Sequence, residues 1–182
     1  FDSATFHETF SASLDSGEYG QSIECIQLNG RTFFAIGTGI RQGDSEEEPS
    51  LGKIKLYRIV GEKKLEFVCE LSLPGCIYSI AQFSDELFAA TCRDSVALYR
   101  LDQENPNVPL QLVQVCTRKG YVVALRVKCK GDFLLIGDLL RSVSLLFYNS
   151  ELKQLEEKAR DFNVNTIFSL DYLSSDLFVA SD

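Results

Sequence analysis

Apolar and polar residues alternate with a period of two along most of this chain, and the alternating stretches recur. Residues 23–28, 77–83, 122–127 and 167–172 each read as a half-buried strand followed by a short polar turn and a second apolar strand. Their starts are 54, 45 and 45 residues apart. A repeating unit of ~40–45 residues with four strands is the sequence mark of a β-propeller blade.

The second strands correspond as well, at 32–37, 87–91, 133–137 and 177–181, after turns such as Asn29-Gly30-Arg31, Ser84-Asp85-Glu86 and Lys130-Gly131-Asp132. Third strands at 53–57, 95–99 and 142–146 alternate small or polar residues with apolar ones. Fourth strands are expected at 65–73, 110–117 and 152–160. The Glu and Lys content of the last also suits a short helix, and the repeat decides for a strand. The first unit is nine residues longer because its second-to-third-strand connection, 38–51, contains Asp44-Ser45-Glu46-Glu47-Glu48-Pro49, a run expected to be a solvated, mobile loop. Residues 5–14 alternate well enough to be the outer strand of a preceding blade.

The expected fold is therefore all-β: a β-propeller of WD-like four-stranded blades in an incomplete ring of about three and a half blades. All 182 residues fall in part of one domain, with an outer strand within 1–20, blades over 21–75, 76–120 and 121–165, and the start of a further blade over 166–182. Propellers close with ~4–8 blades, so this chain is not expected to close a ring alone. A first residue other than Met and the abrupt final Ser181-Asp182 suit a piece of something longer.

Composition narrows the function. With 45% hydrophobic and 24% charged residues the chain has an ordinary soluble make-up. Its net charge of −8 disfavours direct nucleic-acid binding, which draws on Lys and Arg to neutralise phosphates. No run of about 18 apolar residues is present to span a membrane, and Phe1-Asp2-Ser3-Ala4-Thr5 carries no signal-peptide pattern. Cysteines 25, 69, 76, 92, 116 and 129 contain no C-x-x-C pair, and only His7 could help them hold a metal. Most lie in apolar strand-like runs and read as small buried hydrophobes, which suits a reducing compartment, nucleus and cytoplasm.

The same inventory supplies no catalytic set. His7 stands alone, so neither a Ser-His-Asp nor a Cys-His arrangement can be assembled. Gly37-Thr38-Gly39 has no helix or Lys behind it and reads as a strand-end turn, not a phosphate loop. Asp85, Asp94, Asp132, Asp138 and Asp176 recur at turns, which points to architecture. No enzyme activity, cofactor, metal or small-molecule substrate is expected.

Binding is a different matter. Strands alternate in direction, so second-to-third-strand turns and blade-to-blade crossovers open on one face of a propeller. That face collects 38–51, Pro74-Gly75, Arg93-Asp94, Arg118-Lys119-Gly120, Leu139-Leu140-Arg141 and Asn163-Val164-Asn165. Turns there should be polar, yet Leu139 and Leu140 are not. Either they mark a binding surface, or both fold inward against the next blade.

Around these residues the sequence resembles a known family. The stretch from Lys130-Gly131-Asp132-Phe133 through Gly137-Asp138-Leu139-Leu140-Arg141-Ser142-Val143, then Ala159-Arg160-Asp161-Phe162-Asn163, is similar to the third propeller of the damaged-DNA-binding-protein large-subunit family, adaptors of cullin-RING ubiquitin ligases. Phe1-Asp2, Gly52-Lys53-Ile54 and Gly75-Cys76-Ile77-Tyr78-Ser79 extend the likeness over essentially the whole chain. The largest subunit of the cleavage and polyadenylation specificity factor and a splicing factor 3b propeller subunit share the architecture. The resemblance implies a three-propeller scaffold that grips helical segments of substrate receptors, with protein partners and only indirect DNA contact. Carried over, the partner-binding positions are Val123, Leu125, Arg126, Leu139, Leu140, Arg141 and Thr166. The family shows an aromatic where this chain has Arg126, and another where it has Thr166 after Asn163-Val164-Asn165. These departures imply a different set of receptors or a divergent lineage.

Overall fold

The computed structural model describes residues 8, 11–43, 48–61, 64–102, 109–174 and 176–182. Every regular element among them is a strand: β1 (Glu18–Leu28), β2 (Arg31–Ile40), β3 (Gly52–Val60), β4 (Lys64–Leu73), β5 (Ile77–Gln82), β6 (Leu87–Cys92), β7 (Ser95–Asp102), β8 (Gln111–Lys119), β9 (Ala124–Lys130), β10 (Phe133–Asp138), β11 (Val143–Asn149), β12 (Gln154–Arg160), β13 (Ser169–Tyr172) and β14 (Phe178–Ser181). They form three four-stranded sheets, β1-β2-β3-β4, β5-β6-β7-β8 and β9-β10-β11-β12, and a two-stranded sheet, β13-β14, each pairing antiparallel. β12 is a strand despite its Glu and Lys content: it pairs antiparallel with β11, and Leu155 and Glu157, two residues apart on one face, meet the second blade.

Successive sheets pack face on face, and each junction has its own core. Ile26, Phe33, Ile54 and Leu56 of the first sheet meet Ile80, Phe88 and Tyr99 of the second. Ala89, Val96 and Leu98 then meet Val127, Leu134 and Ile136 of the third, whose Leu135 and Val143 meet Ile167 and Leu170 at the fourth. Innermost strands β1, β5, β9 and β13 are consecutive neighbours. One sheet per repeat, stacked around a line of first strands, is a partial β-propeller. Polar bonds link the inner strands across the gaps: the Gln27 N–H donates to Gln82 Oε1 at 2.6 Å, and the Val127 N–H to Ser79 Oγ at 3.2 Å. These strands line a channel of about 620 Å³.

Three expectations need correction. Of the outer strand expected over 5–14, residues 5–7, 9 and 10 lie outside the described residues, and Glu8 and 11–14 are not in strand conformation. β1 instead begins at Glu18, whose buried side chain is fixed by the strands beside it. The connection expected over 38–51 is shorter, because Thr38, Gly39 and Ile40 continue β2 and Ile40 bridges Leu51. The same extension puts Gly37-Thr38-Gly39 inside a strand and not at its end. Residues 44–47 of the acidic run lie outside the described residues, and His7 does too.

Close blade packing rests on a repeated glycine. A Cβ on Gly137 would sit 2.6 Å from Ile167 Cγ2, and one on Gly37 would sit 2.7 Å from Ile77 Cγ2. Both isoleucines lie one blade on, at equivalent positions of the repeat. The second blade has Thr91 there, and the residue that would pack on it, Val122, is 38% exposed. Gly137→Ala is expected to overpack the junction between third and fourth sheets and to cost roughly 1–3 kcal/mol. In the full-length protein, faster amide exchange in β10 and β13 would report it, and unchanged protection would remove the glycine from the packing account.

Candidate functional site

The face collecting the β6–β7 and β10–β11 turns and the crossovers between blades is bonded together through its backbone. The Arg93 N–H donates to the Cys76 carbonyl at 3.3 Å, the Tyr121 N–H to the Asp94 carbonyl at 3.2 Å, and the Ala124 N–H to the Arg93 carbonyl at 2.7 Å. The Ser142 N–H donates to the Asn165 carbonyl at 3.1 Å. Turn and crossover segments from adjacent blades thus form one continuous rim.

Asp138, the last residue of β10, organises the third blade's part of it. Its carboxylate is 1% exposed and accepts three backbone N–H groups, from Val122 at 2.7 Å, Leu140 at 2.8 Å and Arg141 at 2.9 Å. Aspartate suits this place because its short side chain folds back onto N–H groups two or three residues on. The Asp138 N–H donates to the Ser142 carbonyl at 2.9 Å, with Ser142 in the left-handed region at φ 53°, and the Ile167 N–H donates to the Asp138 carbonyl at 3.1 Å. One residue therefore ties together the start of its blade, its own turn and the next blade.

The nominated positions gather around this knot. Val123 is buried, and its carbonyl accepts the Leu139 N–H at 3.0 Å. Leu139 is half-buried, and Leu140 stands 49% exposed, so one leucine turns partly inward and the other faces outward. Arg141 is exposed and its guanidinium donates to the Gly120 carbonyl. Thr166 is half-buried between Asn165 and Ile167, both bonded to the turn. Leu125 and Arg126 step away down β9. Arg126 lines the channel, where its Nε donates to the Phe168 carbonyl at 2.8 Å and its Nη1 to the Leu125 carbonyl at 2.9 Å. The arginine that stands where the family shows an aromatic thus bridges two blades.

A charged cluster borders the rim between the second and third blades. Glu157 Oε2 accepts from Arg118 Nη2 at 3.1 Å and from Arg160 Nη2 at 2.7 Å. Beside it the Tyr121 hydroxyl pairs with Ser144 Oγ at 3.1 Å, and burial pushes that phenol's pKa up. Hydrogen bonds from the Ser142 hydroxyl and the Asn163 N–H hold the Asp161 carboxyl below the usual Asp range. The thiols lie elsewhere. Burial pushes Cys69 and Cys76 up to about 11 and Cys92 up to about 12, leaving almost no nucleophilic thiolate at neutral pH.

All 182 residues match one family, described as CPSF A subunit region. The chain belongs to that family. Within it, the chain is 32% identical over 183 aligned residues to DNA damage-binding protein 1 of Solanum lycopersicum, a match covering 100% of this chain and 16% of that protein. DNA damage-binding protein 1a of Arabidopsis thaliana matches at 32% with the same coverage, and DNA damage-binding protein 1 of Oryza sativa subsp. japonica at 31%, over 97% of this chain and 16% of that protein. The chain thus spans about a sixth of the length of the curated relatives it matches.

In this member of the CPSF A subunit region family the rim holds more apolar surface than sequence reasoning assigned to it. Val122 is exposed beside Asp138, and Phe162 and Val164, in the crossover that carries Asn165, are 87% and 78% exposed. The signal was present: Phe162 and Val164 alternate with Asp161 and Asn163 in a crossover already placed on this face. In the sequence Asp138 is one of five aspartates that recur at turns, and nothing there sets it apart.

Proposed function

We infer that this chain is part of a protein-binding scaffold that links substrate receptors to a cullin-RING ubiquitin ligase, in the setting of DNA damage recognition and protein ubiquitination, in nucleus and cytoplasm. It docks a helical segment of a receptor on the third-blade rim through Leu139, Leu140 and Arg141, flanked by Val123, Leu125, Arg126 and Thr166. The observation that carries this reading is a half-exposed Leu140 on a turn whose four N–H groups, from Leu139 to Ser142, are all bonded, since rigid apolar anchors concentrate binding energy. Relatives named for binding damaged DNA support the setting. The net charge of −8 supports DNA contact through a partner and not by this surface. The role is that of a scaffold and not an enzyme.

A second reading, a propeller subunit of an RNA-processing complex, has the family description itself in its favour. Affinity purification of the full-length protein separates the two. Cullin and RING subunits are the expected companions, and recovery of polyadenylation or spliceosome subunits in their place would overturn the first reading.

A further inference from the structure

The geometry points to Asp138 as the positioning residue of the docking rim: its buried carboxylate sets the height and direction of Leu140 and Arg141. This inference rests on the docking reading above and assigns the residue that shapes the surface.

The turn after β10 could adopt many conformations. In the repeat its counterpart is the shorter Arg93-Asp94 turn, where Arg93 itself takes the left-handed conformation at φ 51°. The third blade inserts one more residue and delays that conformation to Ser142. The longer turn would leave the Leu140 and Arg141 N–H groups without strand partners. Asp138 Oδ1 accepts both, at 2.8 and 2.9 Å, while Oδ2 takes Val122 at 2.7 Å. A carboxylate receiving several N–H groups is a strong, directional clamp.

The clamp also spans blades. Through its main chain Asp138 joins Ser142 on one side and Ile167 on the other, so the turn is registered against the residue beside Thr166. Arg141 has a second anchor in the bond from its guanidinium to the Gly120 carbonyl, whereas the apolar side chain of Leu140 can make no hydrogen bond and depends on its amide. A side chain that is 1% exposed cannot itself contact a partner, so its influence on binding is exerted through the amides it holds.

Two substitutions in the full-length protein test this. Asp138→Asn keeps a carbonyl oxygen for Leu140 and Arg141 but presents an NH2 group to the Val122 N–H, while Asp138→Ala removes all three acceptors. The probe is a purified receptor that copurifies with the wild-type protein, titrated by calorimetry, alongside amide hydrogen exchange resolved by residue. Exchange at Leu140 and Arg141 is expected to rise at least tenfold in Asp138→Ala, with amides of Leu134, Leu135 and Leu146 unchanged. Receptor affinity should fall at least tenfold, with Asp138→Asn between wild type and Asp138→Ala. Affinity that stays at the wild-type level while the turn amides exchange faster overturns the inference. Exchange rising equally in the β10 and β11 cores also overturns it, because the residue would then be a general structural one. If the wild-type protein binds no receptor, the docking reading is what fails, and the amide data still report whether Asp138 orders the turn.

Discussion

Lys55→Met should unfold the first blade's middle strands far more readily than any surface change. Lys55 sits on β3 with its side chain 6% exposed, and its Nζ lies 2.5 Å from Glu18 Oε2, whose side chain is fully buried. Glu18 Oε1 accepts from Thr38 Oγ1 at 2.7 Å, and Oε2 takes the Asp15 N–H at 3.1 Å. Asp15 and Glu70 complete the surroundings of Lys55 at 3.7 and 3.9 Å. Lys53 also holds Asp15 and Glu70, but removing Lys55 leaves Glu18 buried without its direct ion-pair partner, a change that costs about 3–5 kcal/mol in buried pairs. Hydrogen exchange across β2, β3 and β4 of the full-length protein would show it as lost protection confined to the first blade. Adding Glu18→Leu should restore much of that loss, because an apolar pair avoids desolvating two charges. Equal protection in wild type and Lys55→Met would mean that the pair contributes nothing.

The same pair gives the first blade an acid limit. Burial alone would push the Glu18 carboxyl up, but hydrogen bonds from Lys55, Thr38 and the Asp15 amide, with the Lys55 charge, hold it below its ordinary value of 4.5. A lowered carboxyl contributes stability that is fully present above the unfolded value and lost as pH falls through the folded one. First-blade protection should therefore be flat near neutrality and weaken only below about pH 4.5.

Much of this fold was legible in the residues because a propeller repeats one period-two pattern, and repetition outweighs local propensity. β12 shows this: its Glu156, Glu157 and Lys158 suit a helix, yet it pairs along β11 as the repeat demands. Legibility ended where a side chain, not a pattern, sets the backbone. Glu18 lies in a polar stretch with no strand alternation, and its place at the start of β1 is set by pairing with Ile40 and by Lys55 and Thr38, distant in sequence, which donate to its carboxylate. Asp138 looked like any turn aspartate, since nothing in sequence tells that its oxygens reach Val122 across the blade. Leu139 and Leu140 were distinguished as unusual but not from each other, because which of two adjacent residues faces outward depends on that clamp.

Leu140→Asp carries the other large effect. Leu140 is half-exposed on a turn held by bonds to its amides and not to its side chain, so a charge there meets water and not the core, and folding should stay within about 0.5 kcal/mol. If Leu140 anchors a receptor helix, the same charge is desolvated at the interface, and affinity should fall by ~2 kcal/mol or more, about thirtyfold. Leu152 provides the control. It is 61% exposed in the β11–β12 turn, on the opposite face of the same blade. The decisive measurement is receptor affinity of the full-length protein carrying Leu140→Asp or Leu152→Asp, each checked for an unchanged melting transition. The docking account predicts about thirtyfold weaker binding for the first and wild-type binding for the second. Equal affinities for the two variants would contradict it.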